Sequence, residues 1–350
     1  MLIVLLALLA GALWWAGAGG DSEKGLPNPL VQGTPLSAWI QKALASDSTW
    51  NYAWVLKPVA AEATPYLSRA LRHKDNFFNT SYVKIWPKLP SAFQRHLAAP
   101  TLAKDARMRA VMLLRDLGNP AKAAIPDLIA RLSDNDGDLL NPTIALGNMG
   151  SDAKSALPSL EPLLRVNLKD VRVAYAAQAV WKITKEAEPS LSTLETVLAQ
   201  TNANYRWAAA AFLGEMGPAA RPAIPLLAQA VRDPDKDLAS LSVQALANIG
   251  PETLPMLTDV LADAAPAMRI SAAVALGRLG PKAKEAAPLL TMLVQDQATG
   301  SPLFWGHSSK WPEKVDWSIP DVDHPSTLFR LRPERVGDAA AEALARVNSP

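Results

Sequence analysis

Apolar residues in the middle of the chain follow a pattern that returns every 30 to 34 residues. The stretch FLGEMGPAARPAIPLL (212–227) has close copies at 113–128, 145–160 and 275–290, and a shortened copy at 245–257. Within each copy the apolar residues recur at helical spacing, for example Ile224, Leu227 and Val231. A fixed period of this length is typical of repeat architectures, so we read the chain first as a series of repeats.

The glycine and the proline inside each copy predict a joint between two helices. Gly217 suits the residue just after a helix, where a left-handed backbone is accessible to glycine at little cost. Pro225 suits the first turn of the next helix, where its missing N–H removes no intrahelical hydrogen bond. We therefore expect one helical hairpin per period, with a turn between its two helices.

Columns within the helix that precedes each joint predict which side is buried. We align the copies on their glycine, with Thr184 in the position of a worn copy. Four residues before it lie Leu114, Leu146, Val180, Leu213, Leu246 and Leu276, and one residue before it lie Leu117, Met149, Ile183, Met216, Ile249 and Leu279. These are predicted core columns. Three residues before it, Gly147, Gly214, Ala247 and Gly277 predict close approach of a neighbouring helix, with Arg115 and Trp181 as exceptions. Two residues before it we expect a solvent column: Asp116, Asn148, Lys182, Glu215, Asn248 and Arg278.

Arginines open several of these helices, at Arg107, Arg172, Arg206 and Arg269. We interpret them as a ladder of bonds from repeat to repeat. The alternative is a stripe that binds phosphate, but acidic residues interleaved nearby, such as Asp233 and Asp235, would repel a polyanion.

The joint motif, [AF]-L-G-x-[ML]-G-x-x-A-[KR]-x-A-x-P-x-L in its best copies, resembles the HEAT-like repeats of bacteria, including those of the phycobilin-lyase type. The resemblance is strong over 103–290, degraded over 36–102, and returns at 338–348. It implies an all-α, right-handed α-solenoid whose surfaces bind other macromolecules. It does not imply one activity, because a fold alone does not settle function.

The remaining segments complete the predicted organisation. We expect a linker at 21–35, degenerate repeats that cap the stack at 36–102, regular repeats at 103–296 and a terminal repeat helix at 336–350. In the cap, Trp39, Trp50, Trp54 and Trp86 are expected to form a common core, and Ser37 to cap the helix containing 38–44.

Residues 297–335 depart from the repeat and predict a long loop insertion rich in tryptophan and proline. Long ordered loops and insertions in solenoids are often binding elements. The candidate partner-binding residues are Phe304, Trp305, Trp311, Trp317 and Arg330, together with Trp181 in the worn copy. In the alternative, the rings of the insertion pin it over the open end of the stack, and Trp181 fills space beside its irregular turn.

The first 20 residues contain no charged side chain and are almost wholly apolar, which predicts attachment to a membrane or export. One reading is a secretory signal peptide cleaved after Ala18; the other is an uncleaved membrane anchor that forms an N-terminal apolar helix. Both place the repeats outside the cytoplasm, facing the periplasm or another extracytoplasmic space.

Composition narrows the chemistry. Lys and Arg total 35 against 33 Asp and Glu, so the charge gives no case for a nucleic-acid partner. There is no cysteine, which excludes disulfides and thiolate chemistry in these 350 residues. We predict no catalytic, cofactor or metal site; Asp321, Asp323, His307 and His324 form only a weak cation motif.

These observations favour a non-enzymatic scaffold or accessory subunit that binds a protein partner, or a membrane complex, through the solenoid face and the insertion. The alternative, supplied by the resemblance alone, is a lyase-like protein or accessory factor that binds a tetrapyrrole or similar planar ligand. A carbohydrate-binding module rests only on the tryptophan-rich insertion.

Overall fold

Each joint ends one helix and begins the next within a few residues, and the joints therefore determine the architecture. A computed structural model describes residues 25–46, 49–74, 77–94, 101–133, 138–165, 170–200, 205–263, 265–301, 303–305, 315–316, 328–331 and 334–349. The apolar segment 1–20, and with it the predicted N-terminal helix, lies outside these residues. Among the described helices, none is both long and apolar enough to span a bilayer.

The chain is an all-α repeat protein of the solenoid class, with short strands at two places. The helices are α1 (Leu36–Ala45), α2 (Trp50–Leu56), α3 (Ala60–Arg72), α4 (Phe77–Ile85), α5 (Ser91–Gln94), α6 (Ala103–Leu117), α7 (Ile125–Leu132), α8 (Leu140–Asn148), α9 (Leu157–Leu160), α10 (Val171–Thr184), α11 (Ser190–Ala199), α12 (Arg206–Met216), α13 (Ile224–Ala230), α14 (Lys236–Ile249), α15 (Leu254–Val260), α16 (Pro266–Leu279), α17 (Ala287–Leu293) and α18 (Val336–Val347). The strands are β1 (Leu30–Val31), β2 (Thr34–Pro35), β3 (Thr299–Gly300), β4 (Leu303–Trp305), β5 (Val315–Asp316), β6 (Leu328–Leu331) and β7 (Glu334–Arg335).

The chain divides into two compact units. One comprises Met1–Glu161 with Lys182–Thr184, and the other Pro162–Trp181 with Lys185–Pro350. Both contain hairpins of a first helix, which ends at the joint, and a second helix, which begins with the joint proline. In the second unit the first helices α12, α14, α16 and α18 contact one another in chain order.

The joint is more regular than the predicted turn. After α12, Gly217 adopts φ 58° and ψ −132°, a positive-φ conformation that is extended rather than left-handed helical. A 3-10 segment with a kink at Ala220 (φ −91°, ψ 15°) then runs over Gly217–Ala223, and Pro225 lies in the first turn of α13, as predicted. Ala220 and Ala223 lie three residues apart, and both are fully buried.

The predicted core columns are confirmed. Leu114, Leu146, Val180, Leu213, Leu246 and Leu276 are at most 1% exposed. In the second column all members are buried except Leu279, which is half-buried. The solvent column holds at Asn148, Glu215 and Asn248, whereas Lys182 and Arg278 are half-buried. The side chain of Asp116 is only 2% exposed and pairs with Arg115 (Nε to Oδ1, 2.9 Å).

The small residues of the first helices allow the predicted close approach. A Cβ atom on Gly214 of α12 would lie 2.9 Å from the Cα atom of Ala245 on α14, and one on Gly277 of α16 would lie 3.1 Å from the Cα atom of Ala343 on α18. Both are shorter than ordinary van der Waals contacts, so the glycines let backbones of successive first helices touch.

The arginine ladder joins successive hairpins as expected. Arg206 donates to the backbone oxygen of Leu198 in the preceding hairpin (2.8 Å) and to the carboxylate of Asp233 at the end of its own hairpin (2.5 Å). Arg269 repeats this arrangement with the Asp263 carbonyl (2.7 Å) and the Asp296 carboxylate (2.9 Å).

The other two arginines use different acceptors. Arg107 donates to the carbonyl of His73, and Arg172 pairs with Asp170, the residue that caps its own helix. Burial opposes ionisation of Asp233, but hydrogen bonds from the Asp235 backbone and from Arg206 lower its pKa overall. These contacts give the described arginines a structural role.

The N-terminal elements differ from two expectations. Helix α1 begins at Leu36, so Ser37 lies inside its first turn, and its N–H donates to the side-chain oxygen of Asn28 (2.9 Å). Asn28, rather than Ser37, therefore supplies the polar group at this helix end. The preceding strands β1 and β2 pair antiparallel, and the Trp39 indole donates to the Val31 carbonyl (2.9 Å).

The predicted tryptophan core of the cap is wrong. Trp54 is 70% exposed, with the Lys57 ammonium 6.0 Å from its ring centroid. Trp39 meets Tyr52 edge-on at 6.3 Å, whereas Trp86 meets Tyr82 at 5.7 Å. The side chain of Trp50 lies outside the described part of the chain.

The close approach at Gly214 predicts that alanine at this position destabilises the protein, although alanine normally stabilises a helix. In an isolated helix, alanine in place of glycine stabilises by roughly 0.5–1 kcal/mol. Here we expect Gly214→Ala to lower the free energy of unfolding by about 1–3 kcal/mol, because the added methyl overpacks the contact with Ala245. Urea unfolding followed by circular dichroism measures this change in the free energy of unfolding.

The control Asn248→Ala changes an exposed residue of α14, and its free energy of unfolding should stay within about 0.5 kcal/mol of wild type. A Gly214→Ala protein as stable as wild type would contradict the close approach.

Candidate interaction surface

The insertion near the C-terminus contains paired strands, not the loop alone that its sequence predicted. Strands β3 and β7 pair antiparallel, with Gly300 opposite Glu334. Strands β4, β6 and β5 form a three-stranded sheet in that order. Each strand spans only two to four residues, which is too short to show an alternating pattern in the sequence. The prolines and polar residues of this segment obscure such a pattern further. We call residues 299–335 the strap.

The base of the strap is fixed to the last hairpin by backbone contacts. The N–H of Val336 donates to the carbonyl of Ala298 (2.9 Å), and the N–H of Gly337 donates to that of Asp296 (3.0 Å). A Cβ atom on Gly300 would lie 2.8 Å from the Cα atom of Ala267, so the strand passes directly against the start of α16. Glycine at this position is what lets the two backbones meet.

The strap lies on the row of first helices. Strands β3 and β7 contact α16, and β4 contacts α14. Residues 238–247 of α14 are buried without interruption, including Ser240, Ser242 and Gln244. Ser240 packs against Met268 and Ser271 of α16, so the stack itself buries part of this helix. Gln244 is 2% exposed, and Gln178, in the same column of α10, is 4% exposed. Strand β4 lies against α14 at this buried stretch.

The strand register brings together part of the predicted site. Phe304 is opposite Phe329, Trp305 is opposite Leu328, and Arg330 is opposite both Leu303 on β4 and Asp316 on β5. Phe304, Trp305 and Arg330 thus lie on adjacent strands within one small sheet. Trp311 and Trp317 lie outside the described residues, and so does the Asp321–His324 cation motif with His307.

Trp181 does not belong to this sheet. It lies on α10, whereas the strands contact α14 and α16. Its ring is half-buried, with the Lys185 ammonium 5.5 Å from the ring centroid. Lys185 adopts φ 61° and ψ 14°, so this residue, one position after Thr184, takes the left-handed conformation at the helix end. This geometry fits the interpretation that Trp181 packs beside an irregular turn.

Residues missed by the sequence reading lie on α17, the last second helix. Met292 is 75% exposed and Leu289 is 42% exposed. A comparison of second helices contains the signal, because Met292 occupies the column that holds Gln229 in α13 and Asp259 in α15. Tryptophan is the more typical interface anchor, so residue type alone does not single out Leu289 and Met292.

The charged side chains beside α16 and α18 interact with their immediate neighbours. A shallow hollow, open to solvent, lies between α16 and α18 and is lined in part by Gly277, Glu342 and Arg346. Burial, reinforced by the nearby Arg346, lowers the pKa of Arg278, while Arg346 pairs with Glu342 at 2.7 Å. Small-molecule sites usually enclose about 300–1,000 Å³, so this hollow is far too small for one. In the described ranges, no three carboxylate or imidazole groups converge as metal ligands.

One family model and several solved structures are similar to this chain. The HEAT repeats family matches residues 224–300. No curated protein matches the chain. Among solved structures, the complex of CpcE and CpcF of phycocyanin lyase from Nostoc sp. PCC7120 is similar, with 17% identity, a TM-score of 0.42, and coverage of 79% of this chain and 98% of that one. Kap121p is similar at 15% identity and a TM-score of 0.41, over 89% of this chain but only 38% of its own.

With TM-scores below 0.5, we take no activity, ligand or partner from these structures. The tetrapyrrole-binding alternative stays a prediction. The family match and the repeated hairpins together support a HEAT-like repeat protein.

A shortened strap tests whether it is the cover of α14. Because Gly300 and Glu334 are directly opposite, residues 301–333 can be replaced by an Asn-Gly turn. The chain has no cysteine, so Gln244→Cys introduces a single thiol. We expect its reaction with a maleimide to become at least about tenfold faster in the shortened chain, since exposure controls thiol reactivity.

Asn248→Cys is the matched control, since residue 248 is exposed. Its thiol should react with the maleimide at the same rate in the full chain and in the shortened chain. Unchanged helical circular dichroism reports that the repeats remain folded. If the thiol at position 244 stays protected in the shortened chain, something other than the strap buries it.

Proposed function

We propose that this protein is a non-enzymatic scaffold or accessory subunit that binds a protein partner through its row of first helices and the strap. The observation that carries the proposal is the strap itself, a set of strand pairs fixed at both ends to the last hairpin and laid across α14 and α16. An insertion that serves only as a connection needs no such structure, since Gly300 and Glu334 already meet.

The composition of the strap suits an interface. Phe304 and Trp305 lie on β4 and Arg330 on β6, and these residue types are enriched among the anchors of protein interfaces. The repeats suit the supporting role, because stacked hairpins with glycine contacts between helices hold the strap on a rigid surface. A rigid surface keeps the entropy loss on binding low.

Partner capture tests this function. We expect affinity capture of the full chain, after cross-linking in intact cells, to recover a defined partner. The shortened-strap chain and the triple change Phe304→Ala, Trp305→Ala, Arg330→Ala should reduce recovery by roughly tenfold or more, as loss of interface anchors does.

Trp54→Ala is the control, since it removes an exposed tryptophan from the other unit and should leave recovery unchanged. Equal recovery by the full and shortened chains would remove the strap from the interface. Failure of the full chain to recover any partner would count against the scaffold function.

We further propose that residues 1–20 hold the protein at a membrane, with the repeats on the extracytoplasmic side. Twenty apolar residues without a charge suffice to cross a bilayer, and Trp14 and Trp15 suit its interface. The full chain should then sediment with membranes and need detergent for extraction, and a chain that starts at Asp21 should remain in solution.

Sequencing of the mature N-terminus separates an anchor from a signal peptide. We expect Met1, as for an uncleaved anchor; a start near Gly19 would mean cleavage and release. A full chain that stays soluble with Met1 intact would contradict membrane attachment.

A further inference from the structure

Several second helices of the repeats contact the joint that follows them. Three of them, α7, α11 and α15, each contact the 3-10 segment of the following joint, at 150–156, 217–223 and 280–286 respectively. Helix α17 is followed by the first helix α18, and no further joint or second helix follows among the described residues. Within the described residues, the side of α17 that corresponds to this contact therefore meets no following joint.

Two leucines of α17 are more exposed than the residues in the same columns of the earlier second helices. Leu293 occupies the column of Ala230 in α13 and Val260 in α15, which are 2% and 7% exposed, yet Leu293 is half-buried. Leu289 is 42% exposed, whereas its counterparts Leu226 and Met256 are half-buried.

Met292 extends this apolar area outward. It is 75% exposed in the column where the earlier helices carry Gln229 and Asp259. Leu289, Met292 and Leu293 are spaced as i, i+3 and i+4, so they share one side of the helix. We call these three residues the terminal patch. The ends of repeat arrays normally carry a polar outer surface, which keeps them soluble, and the terminal patch lacks one.

A charged group marks the same edge. In two joints, the cation four residues after the joint glycine pairs with the carboxylate two residues after the next joint glycine. Lys122 Nζ lies 3.2 Å from Asp152 Oδ1, and Arg221 Nε lies 2.6 Å from Glu252 Oε1. Lys284 occupies this position in the last joint, four residues after Gly280, and is exposed. The terminal patch and Lys284 are thus the apolar and charged halves of one repeat-to-repeat contact.

We propose that the terminal patch docks an amphipathic helix of a partner protein, in the place of a further second helix, with a carboxylate of that helix's leading turn at Lys284. The inference rests on the proposed scaffold function and names a second site for it, away from the strap.

Charge argues against a second copy of this chain as the occupant. The other second helices bury their apolar columns within their own chain; Leu227 and Leu257, for example, are fully buried. A second copy that used the equivalent surface would offer its own α17, whose joint carries Lys282 and Lys284 against a single carboxylate, Glu285. Two such joints would repel each other, whereas an acidic helix complements them.

The chain supplies its own probe for this site. Residues 250–263, GPETLPMLTDVLAD, contain the carboxylate Glu252 and the helix that packs on the last joint. We would use this peptide labelled with fluorescein and held helical by a lactam between Asp259 and a lysine introduced by Pro255→Lys, both exposed positions. Fluorescence anisotropy then measures its affinity for the full-length protein.

We expect saturable binding that the pair Leu289→Lys, Met292→Lys weakens by at least about tenfold, as loss of interface anchors does. Lys284→Glu should weaken binding by roughly two- to fivefold, in keeping with an exposed ion pair. A peptide with Glu252→Lys should recover that loss on the Lys284→Glu protein. Met108→Glu alters an exposed apolar residue of the other unit and is the control that should change nothing.

Three results would overturn the inference. They are no saturable binding to the wild type, equal binding to the Leu289→Lys, Met292→Lys protein, or a self-association in sedimentation that this pair abolishes, which would make the occupant a second copy. If cellular partner capture still depends on the strap, the scaffold function stands although the terminal patch fails. If capture fails as well, both fail.

Discussion

Apolar stacking between neighbouring hairpins is the interaction on which the rest of this structure depends. A single hairpin has no means of covering the columns of Leu213 and Met216, because its own second helix shields only part of the first. Each hairpin therefore needs a neighbour on both sides. The joint meets this need, since its glycine and its buried alanine pair return the chain in a few residues and leave room for the next hairpin.

Much of the interior follows from sequence because stacking imposes one environment on each column. The period, the core columns and the close approach at Gly214 and Gly277 could all be read from residue type and spacing. The arginine ladder could be anticipated as well, although its acceptors could not. Arg206 and Arg269 each use a carboxylate 27 residues ahead in their own hairpin and a backbone carbonyl of the preceding hairpin, and the second contact emerges only when hairpins lie side by side.

Features outside the repeat could not be predicted, and the reasons are physical. Tryptophan is common in cores and on surfaces alike, so its presence did not reveal that Trp54 is exposed. The 3-10 conformation of the joints depends on where Ala220 and Ala223 pack, not on helix propensity. The strands of the strap are too short to show an alternating pattern, and they are held by pairing between segments about 30 residues apart, such as Gly300 and Glu334. Of the candidate site, the sequence indicated the segment but not its placement on α14 and α16.

The strap and the terminal patch are two consequences of the same constraint. At the last hairpin the chain adds α18 as a further first helix, which covers α16 through the contact of Gly277 with Ala343. Because α18 is not followed by a second helix in the described part of the chain, the row of second helices stops one member earlier. The strap covers first helices, so it leaves Leu289 and Leu293 uncovered. An edge that ends in a polar surface would be inert, but this one keeps the leucines and the lysine of an internal repeat contact. It thus retains the chemistry that recognises a next helix, and a partner that supplies one would continue the stack by the same interaction that builds it.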